Sequence, residues 1–381
     1  MTRGAAGTHR RLAIVSDAIY PFTRGGKELR IHALSNQLAQ GGLDVHIYTM
    51  RWWDGPNIRR QDGVTLHAIC PRLSLYTKSG RRSIWQGIAF AAASLKLLTA
   101  KFDILEVDHM PIIPLFSLRL VASIRRQPLY GVWHEVWGAP LWQKYLPQPL
   151  AQIATLLEKW SVHLPDHIIA VSDQTASALR HQLGYRGPLT IAANGLDFQA
   201  IAKLPKAHQT NDLIFVGRLI AHKNIPLLVE ACQLVIKQYP KLKVTIIGDG
   251  PQAADIRNQI DSLGLSSHIK LLSGVDDDHK FALMKASKVF VTPSSREGFG
   301  ITVLEANAAG LPVVTINAPE NAARHLITAA NGTVCDATAP ALARAISYWL
   351  EHPQAHRAQA IAKTYDWSVP AQKLLAEYQT P

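Results

Sequence analysis

Apolar and β-branched residues gather in short runs separated by helix-length amphipathic stretches. In the first half the runs fall at 12–16, 45–49, 64–69, 103–107, 128–133 and 167–171; in the second they fall at 213–216, 243–247, 268–272, 288–292 and 312–316. Strands alternating with helices predict parallel sheets and a doubly wound α/β architecture. Several runs lack strict alternation, as strands covered on both faces do. The segment 197–210 breaks the rhythm, and LIFVGRLIAHKNIPLLVEA then opens a fresh strand–loop–helix unit. A linker there predicts two domains, 1–196 and 197–366. A last helical stretch, 368–378, follows Asp366 and Trp367. No short repeat or low-complexity tract is present.

The 381 residues are 48 % hydrophobic and 18 % charged, which excludes a disordered chain. Cys70, Cys232 and Cys335 lie too far apart for a zinc spacing or a disulfide framework, and suit a reducing compartment. The N-terminal MTRGAAGTHRR has no apolar stretch of the kind a secretory signal needs. The most apolar segment, 84–100, contains Gln86, Ser94 and Lys96, which argues against a membrane span. A cytoplasmic location follows as the expectation. Charge changes the picture further. Residues 1–190 carry 22 Lys and Arg against 12 Asp and Glu, while residues 191–381 carry 18 against 16. Seven of the nine tryptophans precede residue 161. A basic, Trp-rich half suits an anionic partner, a membrane surface or a polyanion, and equally a merely soluble basic surface.

Ligands of open parallel sheets bind outside the carboxyl ends of the strands. After run 12–16 comes DAIYPFTRGGKE, where Gly25 and Gly26 directly before a helix let backbone amides approach an anion; a plain tight turn fits as well. After run 213–216 stand Gly217, Arg218 and, five residues later, Lys223. Two cations at a sheet mouth neutralise a diphosphate leaving group without a metal, although solvated surface charges have the same appearance. The loop PSSREGFGITVLEA places Glu297 before Gly298 and Gly300, with Glu305 two helical turns on. Two carboxylates suit the paired hydroxyls of a sugar and a ribose. A Glu so deep in an apolar segment needs a partner. His134, in GVWHEVWGAP, can donate a hydrogen bond to a hydroxyl or phosphate, or serve structure alone. Gly248, Gly250 and Ala253 match G-x-G-x-x-A, but the next strand ends without the acid a dinucleotide site requires. Asp276–Asp278 precede a helix and read as its cap, not as a metal site.

Together these residues resemble the retaining, nucleotide-sugar-dependent glycosyltransferases of the GT-B class, family 4. The likeness rests on Pro21, Gly25 and Gly26; on His134; on NGLD at 194–197; on GRL…HKN with Gly217, Arg218 and Lys223; on GDGP at 248–251; and on E-G-F-G-x4-E from Glu297 to Glu305. It implies two Rossmann-like domains facing across a cleft, an N-terminal acceptor domain and a C-terminal donor domain, with helix 367–381 packing back on the first. It implies that Arg218 and Lys223 hold the donor diphosphate, Glu305 the ribose and Glu297 the donor sugar. Gly248, Gly250 and the backbone at Gly298, Phe299 and Gly300 join them, and Gly25 and Gly26 approach the same donor. His134 lies beside the transferred sugar. A donor phosphate oxygen takes the acceptor's proton, so no metal and no side-chain base is required.

The implied reaction moves a hexose from a UDP- or GDP-sugar to a lipid-linked or polysaccharide acceptor in cell-envelope glycan or glycolipid synthesis. No cofactor and no nucleic-acid partner is expected. The sequence departs from the common pattern at INAPENAARHLI, which lacks a Gly-Gly pair and has Arg324 near the expected acid. WHEVWGAPLW adds tryptophans where the acceptor usually enters. Arg81, Arg82 and Trp85 head an apolar helix ending near Lys96 and Lys101, suited to an anionic inner-leaflet surface or to covering the sheet. Two other classes compete. A nucleotide-sugar 2-epimerase needs further cleft carboxylates and histidines, and a basic nucleic-acid or membrane-surface binder without catalysis rests on charge alone.

Overall fold

The computed structural model describes residues 10–23, 25–77, 81–353 and 357–379. The reading of the first nine residues as a non-signal stretch lies outside them. The chain divides into two compact units. One runs to Asn194 and resumes at Trp367, and the other is Gly195–Asp366.

In the first unit, β1 (Arg11–Val15) leads through α1 (Gly26–Gln40) to β2 (Asp44–Met50). A hairpin follows, β3 (Ile58–Gln61) with β4 (Val64–Cys70), and α2 (Ile84–Ser94) returns the chain to β5 (Ile104–Asp108). Then come α3 (Ile113–Arg125), β6 (Leu129–Trp133), α4 (Gly138–Tyr145), α5 (Leu150–Ser161), β7 (His167–Ala170), α6 (Asp173–His181) and β8 (Leu189–Ile191). The strand order is β3-β4-β2-β1-β5-β6-β7-β8, parallel except at β3. β3 is an exposed polar edge, IRRQ, without an apolar run to announce it. Its turn, Asp62-Gly63, has positive φ at both residues, as a tight two-residue hairpin requires.

In the second unit, α7 (Phe198–Lys203) precedes β9 (Leu213–Val216), α8 (Ile225–Gln238), β10 (Val244–Ile247), α9 (Ala253–Ser262) and β11 (Ile269–Leu272). The chain continues through α10 (Asp277–Lys285), β12 (Val289–Thr292), β13 (Arg296–Glu297), α11 (Ile301–Ala308), β14 (Val313–Ile316) and β15 (Glu320–Asn321). It closes with β16 (Gly332–Cys335), α12 (Ala339–Glu351) and α13 (Ala358–Lys363). The parallel sheet runs β11-β10-β9-β12-β14-β16, and β13 pairs with β15 apart from it. Its core joins Phe215, Ile246 and Val291 of the sheet to Leu228, Cys232, Ile346 and Trp349 of α8 and α12. Each large side chain so buried contributes about 1.5–3 kcal/mol.

Two expectations need adjusting. The break at 197–210 is partly helical, because the Asp197 side chain caps α7 by accepting from the Ala200 amide at 2.8 Å. The apolar stretch 84–100 is not one long helix: α2 ends at Ser94, and a 3₁₀ turn, Leu95–Thr99, follows. No helix among the described residues is long and apolar enough to cross a membrane.

The last helix, α14 (Ser368–Gln379), packs on α1 in the first unit, where a Cβ on Gly41 would come within 2.4 Å of Leu375. Its Tyr378 hydroxyl donates a short hydrogen bond to Glu106 of β5. Burial pushes the Glu106 carboxyl up to about 7, despite that bond and the nearby Arg30. A carboxyl with a raised folded-state pKa binds its proton in the folded chain while the unfolded chain releases it. Its contribution to stability is therefore full below pH 4.5 and falls as pH rises to about 7. Glu106→Gln should flatten this fall, which amounts to at most about 3 kcal/mol. Urea unfolding at pH 5 and pH 7.5 measures it, and an unchanged pH slope in the variant contradicts the assignment.

Candidate functional site

Doubly wound sheets open a crevice where the strand order reverses. In the second unit that point lies between β9 and β12. Gly217 and the exposed Arg218 follow β9 directly. A Cβ on Gly248 would stand 1.9 Å from the Gly217 carbonyl oxygen, and one on Gly250 would stand 2.4 Å from that of Leu219. The loops after β9 and β10 thus lie against each other, which gives both glycines a packing reason of their own.

Lys223 ends a short 3₁₀ turn, Ala221–Lys223, and Asn224 beyond it has positive φ. The Ser295 amide donates to the His222 carbonyl at 2.8 Å, tying the loop after β12 to this turn. The result is an ion pair between Lys223 Nζ and Glu297 Oε1 at 2.5 Å, with both side chains largely buried. His222 is held neutral at pH 7, because burial and the cations Arg296 and Lys223 push it down to about 4.

Beyond Glu297, Phe299 is buried and meets Tyr365 edge-on. Gly300 precedes α11 with φ +97°, and a Cβ there would lie 2.5 Å from that of Ala323. Glu305 is 7 % exposed, and its Oε1 lies 3.1 Å from Lys280 Nζ of α10. Lys280 also reaches Asp277 at 3.0 Å. Burial lowers the Lys280 pKa, but Glu305 and Asp277 outweigh it and raise the net value. The partner that Glu305 needs is therefore Lys280, not a ligand alone, and sequence spacing did not reveal it. Asp276 caps α10 by accepting from the His279 amide at 2.8 Å. Arg324 donates to Asn317 Oδ1 at 2.6 Å.

In the first unit the order reverses between β1 and β5. Asp17, just past β1, and Asp108, ending β5, are 1 % and 6 % exposed. Lys27 of α1 lies 3.0 Å from Asp17 and 3.6 Å from Asp108, and Arg82 lies 2.5 Å from Asp17. His134, after β6, places Nε2 3.1 Å from Asp108 Oδ1. Burial alone would raise the Asp108 pKa, but Lys27 and the His134 hydrogen bond hold it below the usual carboxylate range. Sequence reasoning found His134 and missed Asp17, Lys27 and Asp108; it set Arg82 with a membrane-facing helix, whereas the side chain turns in to the buried Asp17. The available signal was an acid at the end of each of two neighbouring central strands. Gly25 is the N-terminal flank of α1 and Gly26 its first residue, directly before Lys27 of this cluster.

Two of the tryptophans in WHEVWGAPLW need a correction. Trp133 is fully buried and Trp142 is 7 % exposed, so neither offers an open stacking face. The buried Glu158 accepts from the Trp137 and Gly138 amides and from Trp142 Nε1, each at 2.8 Å. That carboxylate fixes the loop after His134. Among the described residues, no group of three or more His, Cys, Asp or Glu side chains is placed to hold a metal ion.

Two family profiles match successive parts of the chain: "Glycosyltransferase Family 4" over residues 24–200 and "Glycosyl transferases group 1" over residues 198–367. The chain is a GT-B glycosyltransferase, consistent with family 4. Among the relatives of this glycosyltransferase is a phosphatidyl-myo-inositol mannosyltransferase of Propionibacterium freudenreichii, 28 % identical over 73 % of this chain and 70 % of that one. Another is the D-rhamnosyltransferase WbpZ of Pseudomonas aeruginosa, 27 % identical over 87 % and 84 %. Of solved structures, HepE from Anabaena, in complex with UDP and glucose, aligns with a TM-score of 0.75 at 20 % identity, over 98 % of this chain and all of that one. These similarities agree with the two α/β units and their parallel sheets.

Proposed function

We propose that the enzyme moves a hexose, with retention at the anomeric carbon, from a UDP- or GDP-sugar to a lipid-linked or glycan acceptor of the cell envelope. The observation that carries this reading is the set of charges at the switch point of the second unit: Arg218 after β9, and the Lys223–Glu297 pair between β9 and β12. Arg218 and Lys223 hold the diphosphate and stabilise the charge that grows as the nucleotide leaves. Lys223 has three donors, so it can keep Glu297 while it turns to a phosphate oxygen. Glu297 accepts from hydroxyls of the donor sugar. Glu305 accepts from the ribose through the oxygen that Lys280 does not use. Gly248, Gly250 and the backbone from Gly298 to Gly300 shape the space around the donor. The first unit contributes Gly25 and Gly26 at the α1 N-terminus, and His134 beside the transferred sugar. As the acceptor oxygen bonds to the anomeric carbon, the bond to the leaving phosphate breaks and a phosphate oxygen takes the acceptor's proton. The mannosyltransferase and rhamnosyltransferase relatives support a sugar donor of this kind, and the phosphatidylinositol in the former's name supports a lipid acceptor.

Calorimetry with UDP, GDP, UDP-glucose, UDP-N-acetylglucosamine and GDP-mannose, without added metal, tests the donor site. One nucleotide class should bind in the micromolar range, and Arg218→Ala or Glu305→Ala should weaken it at least tenfold. No binding by any of the five, or equal binding by both variants, contradicts the assignment.

A peripheral place on the cytoplasmic face of the membrane suits the first unit. One face of α2 is buried through Gln86, Phe90 and Ala91, while the other exposes Ile84, Trp85 and Ile88, with Trp85 79 % open. An aromatic and aliphatic face beside Arg81, on a basic unit, matches an anionic leaflet. Vesicles containing anionic lipid should co-sediment with the protein at low salt and release it at high salt. Trp85→Ala with Ile88→Ser should reduce binding about tenfold. Absence of binding at both salt concentrations contradicts this reading.

A further inference from the structure

The buried charge cluster of the first unit bears on how His134 works. Asp17 and Asp108 face Lys27, and Arg82 completes the set on Asp17. Two carboxylates against two cations balance, so Asp108 has every reason to remain an anion despite its burial. An ionised carboxylate only accepts hydrogen bonds. The 3.1 Å contact from His134 Nε2 to Asp108 Oδ1 therefore requires the proton to sit on Nε2. In the neutral imidazole, Nδ1 is then left as a lone-pair acceptor.

We propose that Asp108, kept an anion by the nearby charge of Lys27, is a positioning residue that locks His134 in the Nε2–H tautomer. His134 thereby presents Nδ1 to a hydroxyl group of the substrate as an acceptor, and turns away from the phosphate oxygens, which are acceptors themselves. The phosphates are left to Arg218 and Lys223. This rests on the reading that His134 meets the substrate, and it adds to that reading a defined hydrogen-bond direction. Lys27 follows Gly26, and its ammonium is engaged by Asp17 at 3.0 Å and by the Met110 carbonyl at 3.3 Å, with Asp108 nearby. Its charge, 3.6 Å from Asp108 Oδ2, offsets that carboxylate's charge without a hydrogen bond to it.

The tautomer is observable without a substrate. In protein labelled with ¹⁵N-histidine at pH 8, long-range ¹H–¹⁵N correlation should show His134, assigned through His134→Ala, as Nε2–H. Asp108→Ala should shift this signature toward a mixture or toward Nδ1–H. An Nδ1–H signature in the wild-type protein, or the same signature in Asp108→Ala, overturns the proposal. A kinetic cycle separates the proposal from the reading beneath it. The probes are UDP release from UDP-glucose and GDP release from GDP-mannose. His134→Ala should slow release at least tenfold on the active probe, and Asp108→Asn should lower kcat about tenfold with KM within twofold. In the His134→Ala background, Asp108→Asn should cost less than a further twofold. A full, independent loss in that background overturns the positioning role. If His134→Ala leaves release unchanged, it is the reading of His134 as a substrate contact that fails, while the tautomer result still decides the role of Asp108.

Discussion

Charges buried in opposed pairs at the carboxyl ends of central strands are the constraint on which the rest of the structure depends. Parallel sheets direct every strand's end to one edge, and the reversal of strand order opens a gap there. Polar side chains placed in such a gap lose water, and a lone charge would be too costly to hold. The first unit answers with Lys27 between Asp17 and Asp108. The second answers with Lys223 on Glu297, and a further buried pair, Lys280 on Glu305, joins helices α10 and α11. Pairs of this kind add little net stability, because desolvation offsets their attraction. Their effect is orientation: each holds a carboxylate in a fixed place before any substrate arrives.

The backbone is arranged to bring those pairs about. The packing of the loop after β10 on the loop after β9 leaves no room for a Cβ at Gly248. The Ser295 hydrogen bond to His222 sets the loop after β12 beside Lys223. In the first unit, Glu158 gathers three N–H donors around the segment that follows His134. The side chains that meet charge are thus held by neighbours that do not.

The sheets were legible in the sequence because their strands are buried on both faces and read as apolar runs. Elements lacking such a run were not legible. β3 is a polar edge, and β13 and β15 are two residues each, joined only because the loops carrying them meet. The E-G-F-G-x4-E signature pointed to Glu297 and Glu305, and the structure supplies the partner that a deep carboxylate needs in Lys280. Lys280 could not be seen beforehand, since a contact between α10 and α11 depends on packing across 25 residues of chain. Asp108 and Lys27 were hidden for the same reason: their meaning lies in strand order, not in spacing. Trp133 and Trp142 misled because aromatic residues serve cores as readily as surfaces.

The most direct test of the central claim is amide hydrogen exchange with and without UDP or GDP. The nucleotide that binds should slow exchange at residues 217–223 and 298–305, while 204–209, which lie against Asp278, His279 and Ala282 of α10 and not against Lys280, stay unchanged. Protection confined to other segments, or none at a saturating concentration, would contradict the placement of the donor on these paired charges.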